Sequence, residues 1–174
     1  PQIYLSTRKG DGVDSEKLLA AFNASRAVAV AAPATRTKSA WGYTDFGTKG
    51  VVKPDKRIGD LGIRTVRFEN GVMLNVKSTD FDADRVLLTM RIDGGRMLYG
   101  NDALPLLALM NGAYVGGGLG KHQYDDLRAL LAGTTVDTRL AAGDDMFGAA
   151  ASVVVQDLAL QLQAMAAYVT DPGY

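Results

Sequence analysis

A chain of 174 residues holds one ordinary domain, or one domain with part of another, and 47% hydrophobic residues are ample for a core. Nineteen Lys and Arg balance nineteen Asp and Glu, which excludes the strong positive field that a nonspecific nucleic-acid or anionic-membrane binder requires. The lack of cysteine excludes disulfides, thiolate chemistry and Cys-based zinc sites, and no apolar run nears the roughly 20 residues that span a bilayer, so no membrane insertion is expected.

In chain order, residues Gln2 to Leu5 read as a strand and Lys9 to Gly12 as a turn. Asp14 or Ser15 can cap a helix whose apolar stripe is Leu18, Leu19 and Phe22. Ala27 to Ala31, alternating with Val, read as a second strand. Residues 1–32 are then a βαβ-like piece too small to bury its own faces, expected to be the C-terminal remnant of a preceding α/β unit. The start at Pro1, with neither Met nor a basic and apolar leader, reads as a mature or cut piece. Residues 33–57 turn to Ala, Thr, Lys, Gly and Pro without sustained period and read as a linker. Trp41, Tyr43 and Phe46 lie within it, and three aromatics so close together are expected to pin it to a neighbouring surface. Up to Arg57 ten basic residues face five acidic ones, and from Ile58 nine face fourteen; this sign change suggests two units.

The second unit is expected to span 58–174. Ile63 to Phe68 and Val72 to Val76 alternate around Asn70-Gly71, which predicts a tight hairpin. Arg85 to Ile92 follows as a strand whose Val-Leu-Leu-Thr-Met run predicts a central, mostly buried place. Gly94-Gly95 ends it. Asn101 or Asp102 caps a helix to Val115 that tolerates Pro105 in its first turn and, being apolar almost all round, is expected to be buried on most of its surface. A shorter helix over His122 to Ala132 places Tyr124, Leu127, Leu130 and Leu131 on one face. Val136, Thr138 and Leu140 alternate in a strand predicted to run to Ala142 and to pair, through Ala142 to Asp145, with a strand from Met146 to Val155. A last helix, Gln156 to Tyr168, carries Leu158, Leu162, Met165 and Val169 as its buried stripe. The fold class is α+β, an antiparallel or mixed sheet with helices packed on one face.

Sites of chemistry are sparse. Gly116-Gly117-Gly118-Leu119-Gly120-Lys121 invites a phosphate loop, yet Val115 and His122 stand where that motif needs Gly and Ser or Thr, and the loop follows a helix instead of a strand; it reads as a flexible helix-to-helix turn. His122, the only histidine, reads as an exposed helix-start residue. Asp125-Asp126 suit a helix first turn and Asp144-Asp145 a hairpin turn. Asn23-Ala24-Ser25 fits a glycosylation sequon but sits in the predicted first helix, and reads as chance.

Asp60-Leu61-Gly62-Ile63 through Phe68-Glu69-Asn70-Gly71-Val72, Gly94-Gly95-Arg96, and Tyr124-Asp125-Asp126-Leu127 through Leu130-Leu131-Ala132-Gly133 follow one another as in zinc peptidases of the pitrilysin/insulinase family, which the chain resembles over nearly its whole length. The resemblance implies repeated α/β units in two facing halves, with zinc and a catalytic Glu in the first half only. Active members carry His-x-x-Glu-His on the helix that matches Asp102 to Val115. Here those positions run from Ala108 to Gly112: Ala108 and Gly112 have no donor atoms, and Asn111 holds an amide that cannot act as general base. No downstream Glu replaces the third ligand, since Gln156 to Val169 contains only Asp157.

The resemblance therefore implies a non-catalytic segment with no zinc or other cofactor of its own. It would span the end of one half, the connecting segment and the start of the inactive half, and would form part of a peptide-enclosing chamber. The implied partner is a zinc-bearing catalytic half of the same chain, or a homologous subunit, with peptide substrate bound between them and the bacterial periplasm as compartment. Strand 136–142 would match the edge strand to which substrate adds. Self-association of the segment is expected if apolar faces stay uncovered. The alternative is a non-enzymatic structural or assembly module related to processing-peptidase-like core subunits.

Overall fold

The structure, a computed structural model, describes residues 4, 6, 12, 14–30 and 39–174. They divide into two units, one up to Thr37 and one from Lys38.

In the first unit, α1 (Ser15–Ala27) starts where Asp14 Oδ1 accepts the Lys17 N–H at 2.8 Å, as its capping position predicts. Leu18 and Phe22 are half-buried, whereas Leu19 is exposed. The expected strand from Ala27 is absent among the described residues: Ala27 ends the helix, Val28 follows it in an extended conformation, and Val28 to Val30 belong to no strand. Alternation alone makes no strand where no neighbouring ladder is present. Of Gln2 to Leu5 only Tyr4 is described, and of Lys9 to Gly12 only Gly12; the rest of both segments, and Ala31, lie outside the described residues.

In the second unit, β1 (Lys56–Ile58), β2 (Ile63–Arg67) and β3 (Met73–Lys77) form a three-stranded antiparallel sheet in that order. The hairpin falls where Asn70-Gly71 predicts, with a different turn. Only Gly71 takes a positive φ, of 92°, and its N–H reaches the Phe68 C=O at 3.1 Å while the Asn70 side chain accepts the Val72 N–H. Phe68 to Gly71 is thus a type I-like turn closed by a left-handed glycine, one residue longer than the tightest hairpin.

A second antiparallel sheet holds β4 (Arg85–Asp93), β5 (Leu140–Ala142) and β6 (Met146–Val154) in the order β4-β6-β5. The strands therefore form two sheets where one was expected, and β4 lies at an edge. Val86, Leu88 and Met90 turn inward while Leu87, Thr89 and Arg91 face outward. The centre belongs to β6, whose Gly148-Ala149-Ala150-Ala151 run is small enough to let a helix settle closely on its inner face. That helix is α4 (Leu158–Thr170).

The buried stripe of α4 is Gln161, Ala164, Met165, Ala167 and Tyr168; Leu162 and Val169, expected inside, are exposed. Gln161 can occupy the stripe, with none of its surface exposed, because Oε1 accepts the Asp137 N–H at 2.9 Å and Nε2 donates to Thr138 Oγ1 at 3.2 Å. These bonds also explain why residues 136–139 do not join β5. Within that segment the Val136 N–H donates to Thr134 Oγ1 at 3.3 Å and the Asp137 N–H to Gln161, while just upstream the Thr135 N–H and hydroxyl both donate to Asp157 Oδ2 and Thr135 Oγ1 accepts the Val154 N–H.

Between β4 and β5 in the chain come α2 (Leu104–Ala113), preceded by a 3-10 turn at Asn101–Ala103, and α3 (Tyr124–Leu130). The expectation of a mostly buried α2 fails. Ala103, Leu107, Met110 and Tyr114 make a narrow inward stripe, and only Leu107 is fully buried; Leu106 and Leu109 are 67% and 63% exposed. Composition made every face apolar, but just one has a partner.

Gly94 and Gly95 are required where they stand. Gly95 has φ 91° and ψ −179°, and a Cβ there would sit 2.7 Å from the Asp144 C=O, in the turn between β5 and β6. The same turn accepts the Arg96 and Met97 N–H groups at 2.9 and 2.8 Å. Gly95→Ala should therefore lower unfolding stability by about 2 kcal/mol or more, read as the shift in urea midpoint at constant m.

Burial pushes the Tyr168 phenol up to about 12, with the nearby Tyr124 and Tyr174 hydroxyls adding to the rise. Folded and unfolded chains both carry the neutral phenol below its ordinary value near 10, and above it only the unfolded chain ionises. Stability from this group should thus hold up to about pH 10 and fall away toward about pH 12, and Tyr168→Phe should flatten that limb of a denaturation-midpoint-against-pH curve.

Candidate functional site

Helix α2 and strand β5 carry the positions at which the family resemblance concentrates its chemistry. Ala108, Asn111 and Gly112 all lie off the buried stripe and are exposed; a Cβ at Gly112 would meet no atom within 4 Å. The helix turns Ala108 and Gly112 outward, and none of the three belongs to the core. Asn111 alone has a structural bond: its Oδ1 accepts the Ala142 N–H at 2.7 Å.

That bond decides what the β5 edge can do. The Gly143 N–H donates to the Met146 C=O at 2.8 Å, so Ala141 also pairs toward β6, while Leu140 and Ala142 turn their N–H and C=O groups to the outer edge. The outward N–H nearest α2 is the one Asn111 occupies. An extended peptide adding to β5 would have to displace that side chain. The expected edge strand is moreover short, Leu140–Ala142, and upstream of it Val136 and Asp137 give their N–H groups to the side chains of Thr134 and Gln161.

A second cluster forms around the aromatic segment. Tyr43 is buried, its hydroxyl donating to Asp171 Oδ2 at 2.7 Å and accepting the Lys121 N–H at 2.8 Å. Burial and the Asp171 hydrogen bond both raise its pKa. The Trp41 Nε1–H is shared between the Tyr43 C=O and Gln163 Oε1, each at 2.9 Å. Trp41 and Tyr43 are thus the anchors their sequence predicts, whereas Phe46 is exposed.

His122 corrects its sequence reading. It is 6% exposed, stacks on Trp41 with ring centroids 5.7 Å apart, and accepts the Gly42 N–H on Nε2 at 3.0 Å. Two aromatic side chains, Trp41 and Tyr43, and a backbone amide are brought to it by a segment 80 residues away, a contact that local pattern does not signal.

The Gly-rich loop is a packing device. Leu119 pairs with His122 and Pro172, the Gly120 N–H donates to the Asp171 C=O at 3.0 Å, and a Cβ at Gly117 would sit 2.7 Å from the Tyr174 ring. It is tightly bonded instead of being the loose turn expected of it, and no N–H cradle for an anion remains at Gly118 or Gly120.

Asp125 and Asp126 fall in the first turn of α3, and Asp144 and Asp145 in the β5–β6 turn, where they pair with Arg96 at 2.6 Å and Arg91 at 3.2 Å. Asp157 is held below the usual carboxylate range by the Thr135 N–H and hydroxyl, a structural role. Among the described residues no three His, Asp or Glu lie together as a metal site would need. No helix among them is long and apolar enough to cross a membrane.

No family model matches the chain, and no curated protein is similar to it. Solved structures are. The periplasmic protease PqqL from Escherichia coli superposes with a TM-score of 0.73 at 14% identity, over 92% of this chain and 18% of that one. The ferredoxin protease FusC, solved in variant form with Arabidopsis ferredoxin, does so with a TM-score of 0.67 at 15% identity, over the same shares. Both neighbours are pitrilysin-family peptidases. The fold is that of a pitrilysin-type unit. The chain spans less than a fifth of either neighbour's length.

Zinc does not fit the positions at which the sequence resemblance sets its motif. Ala108 and Gly112 offer no donor, and the one oxygen available, Asn111 Oδ1, is neutral and already bonded to the Ala142 N–H.

Asn111→Leu should cost about 1–3 kcal/mol, because the buried Ala142 N–H loses its acceptor, while Asn111→Asp keeps an oxygen there and should lose less. Thermal and urea unfolding of the two variants separate these outcomes.

Proposed function

We propose that this chain is a non-catalytic segment of a pitrilysin-like zinc peptidase, contributing part of the wall of a peptide-enclosing chamber. What supports the reading is the fold shared with two pitrilysin-family peptidases, taken together with Ala108, Asn111 and Gly112 on α2, where the sequence resemblance sets the zinc motif. A fold that retains the helix, the Gly94-Gly95-Arg96 turn and the adjoining edge strand, but carries no ligands, is suited to shape and exclusion. It is not suited to activating water.

In this reading zinc and the general base belong to a different half, on the same polypeptide or on a homologous subunit, and the present segment faces it. Peptide is enclosed between them, held from this side by surface complementarity and not by addition to β5, whose edge amide Asn111 already fills. The periplasm is the proposed compartment, supported by the periplasmic neighbour.

The test has two arms. The purified chain, equilibrated with zinc and then dialysed, should retain substoichiometric metal by mass spectrometry and cleave no quenched fluorescent peptide. One zinc per chain, with cleavage abolished by a chelator, would sink the non-catalytic reading. In the polypeptide that naturally carries this segment, cleavage should depend on a His-x-x-Glu-His motif outside it; a stable assembly without any such motif would favour the structural-module alternative.

A further inference from the structure

Strand β4 is bonded to β6 along one side only. The hydrogen-bond alternation set by Gly143 and Met146 carries across the sheet: residues 147, 149, 151 and 153 of β6 turn their backbone groups toward β4. Their partners Ile92, Met90, Leu88 and Val86 are thereby satisfied. Arg85, Leu87, Thr89, Arg91 and Asp93 turn theirs to the outer edge, where no backbone group among the described residues meets them. Nothing blunts this edge. It has no proline and no bulge, its centre Leu87-Leu88-Thr89-Met90 is uncharged, and Leu87 is 80% exposed.

We propose that β4 is a self-pairing edge: a second copy of this chain adds its own β4 antiparallel, about a two-fold axis through Thr89, to make one continuous six-stranded sheet. Strand parity supports this occupant. Centred on Thr89, every outward-facing residue meets an outward-facing residue of the second copy: Thr89 meets Thr89, Leu87 meets Arg91, and Arg85 meets Asp93. Charge supports it too. Arg85 and Asp93 stand at opposite ends of the strand, so the two-fold sets base against acid at both ends, whereas an in-register parallel pairing would set Arg85 against Arg85. Arg91, already paired with Asp145 at 3.2 Å, lays its stem over Leu87 of the second copy. On the inner side Val86 meets Ile92 and Leu88 meets Met90, extending the apolar face.

The pairing is independent of the peptidase reading. Sedimentation velocity of the whole chain over a concentration series should show a monomer–dimer equilibrium. Thr89→Pro should leave a folded monomer by circular dichroism, because proline is tolerated where the N–H points outward, and the β4–β6 ladder does not use that group. Asp93→Arg should weaken the dimer about tenfold, and R85D/D93R together should restore it. Thr89→Cys introduces the sole cysteine, and axial partners about 5.5 Å apart at Cα should cross-link under mild oxidation. The proposal is overturned by a chain that stays monomeric throughout, including one that binds an unrelated extended peptide instead. A dimer that survives Thr89→Pro, or one that the double charge reversal fails to restore, overturns it equally.

Discussion

The close approach of α4 to the inner face of β6 is the constraint from which the rest of the second unit follows. Ala149 lies in one buried cluster with Met165, Ala167 and Tyr168, and Val153 is fully buried nearby. Small residues on both surfaces bring helix and strand together, and the close-packed interior then dictates what surrounds them. A buried Gln161 is tolerable because residues 137–138 arrive to satisfy it, and their arrival keeps that segment out of β5. A short β5 in turn leaves its edge to be closed by α2 through Asn111.

A second set of bonds locks the same core from the far end. Tyr43, Lys121 and Asp171 come from three distant parts of the chain and meet at one phenol. Around it, His122 takes the Gly42 N–H and the Gly-rich loop takes the backbone of residues 171–173. Of the glycines that suggest an anion site in the sequence, Gly117 faces the Tyr174 ring, Gly118 the backbone of residues 122–124 and Gly120 the Asp171 carboxylate, each too close for a side chain. Polar and aromatic groups that read as candidate chemistry thus serve to fasten the aromatic segment and the C-terminal turn to the sheet.

The functional consequence lies in what α2 presents. Its inward stripe is narrow and supports the edge of the sheet, while the face bearing Ala108 and Gly112 is open. The Asn111 amide holds the neighbouring strand by its bond to the Ala142 N–H. The α+β fold shared with the two protease neighbours thus uses α2 as a brace, with Leu104, Leu106 and Leu109 outside it.

The sequence by itself determined the elements that rest on local chemistry. The Asp14 cap, the hairpin at Asn70-Gly71, the β5–β6 pairing, α4, the anchoring by Trp41 and Tyr43, and the α+β class are all legible in cap residues, glycines and periodicity. Only the tertiary structure decided which apolar faces are buried, since an apolar run states what burial would gain and not whether a partner is present. It placed β4 at an edge, exposed most of α2, buried His122 under a segment 80 residues away, and gave Asn111 to the Ala142 amide. Each of these depends on contacts between parts of the chain that no local pattern brings together.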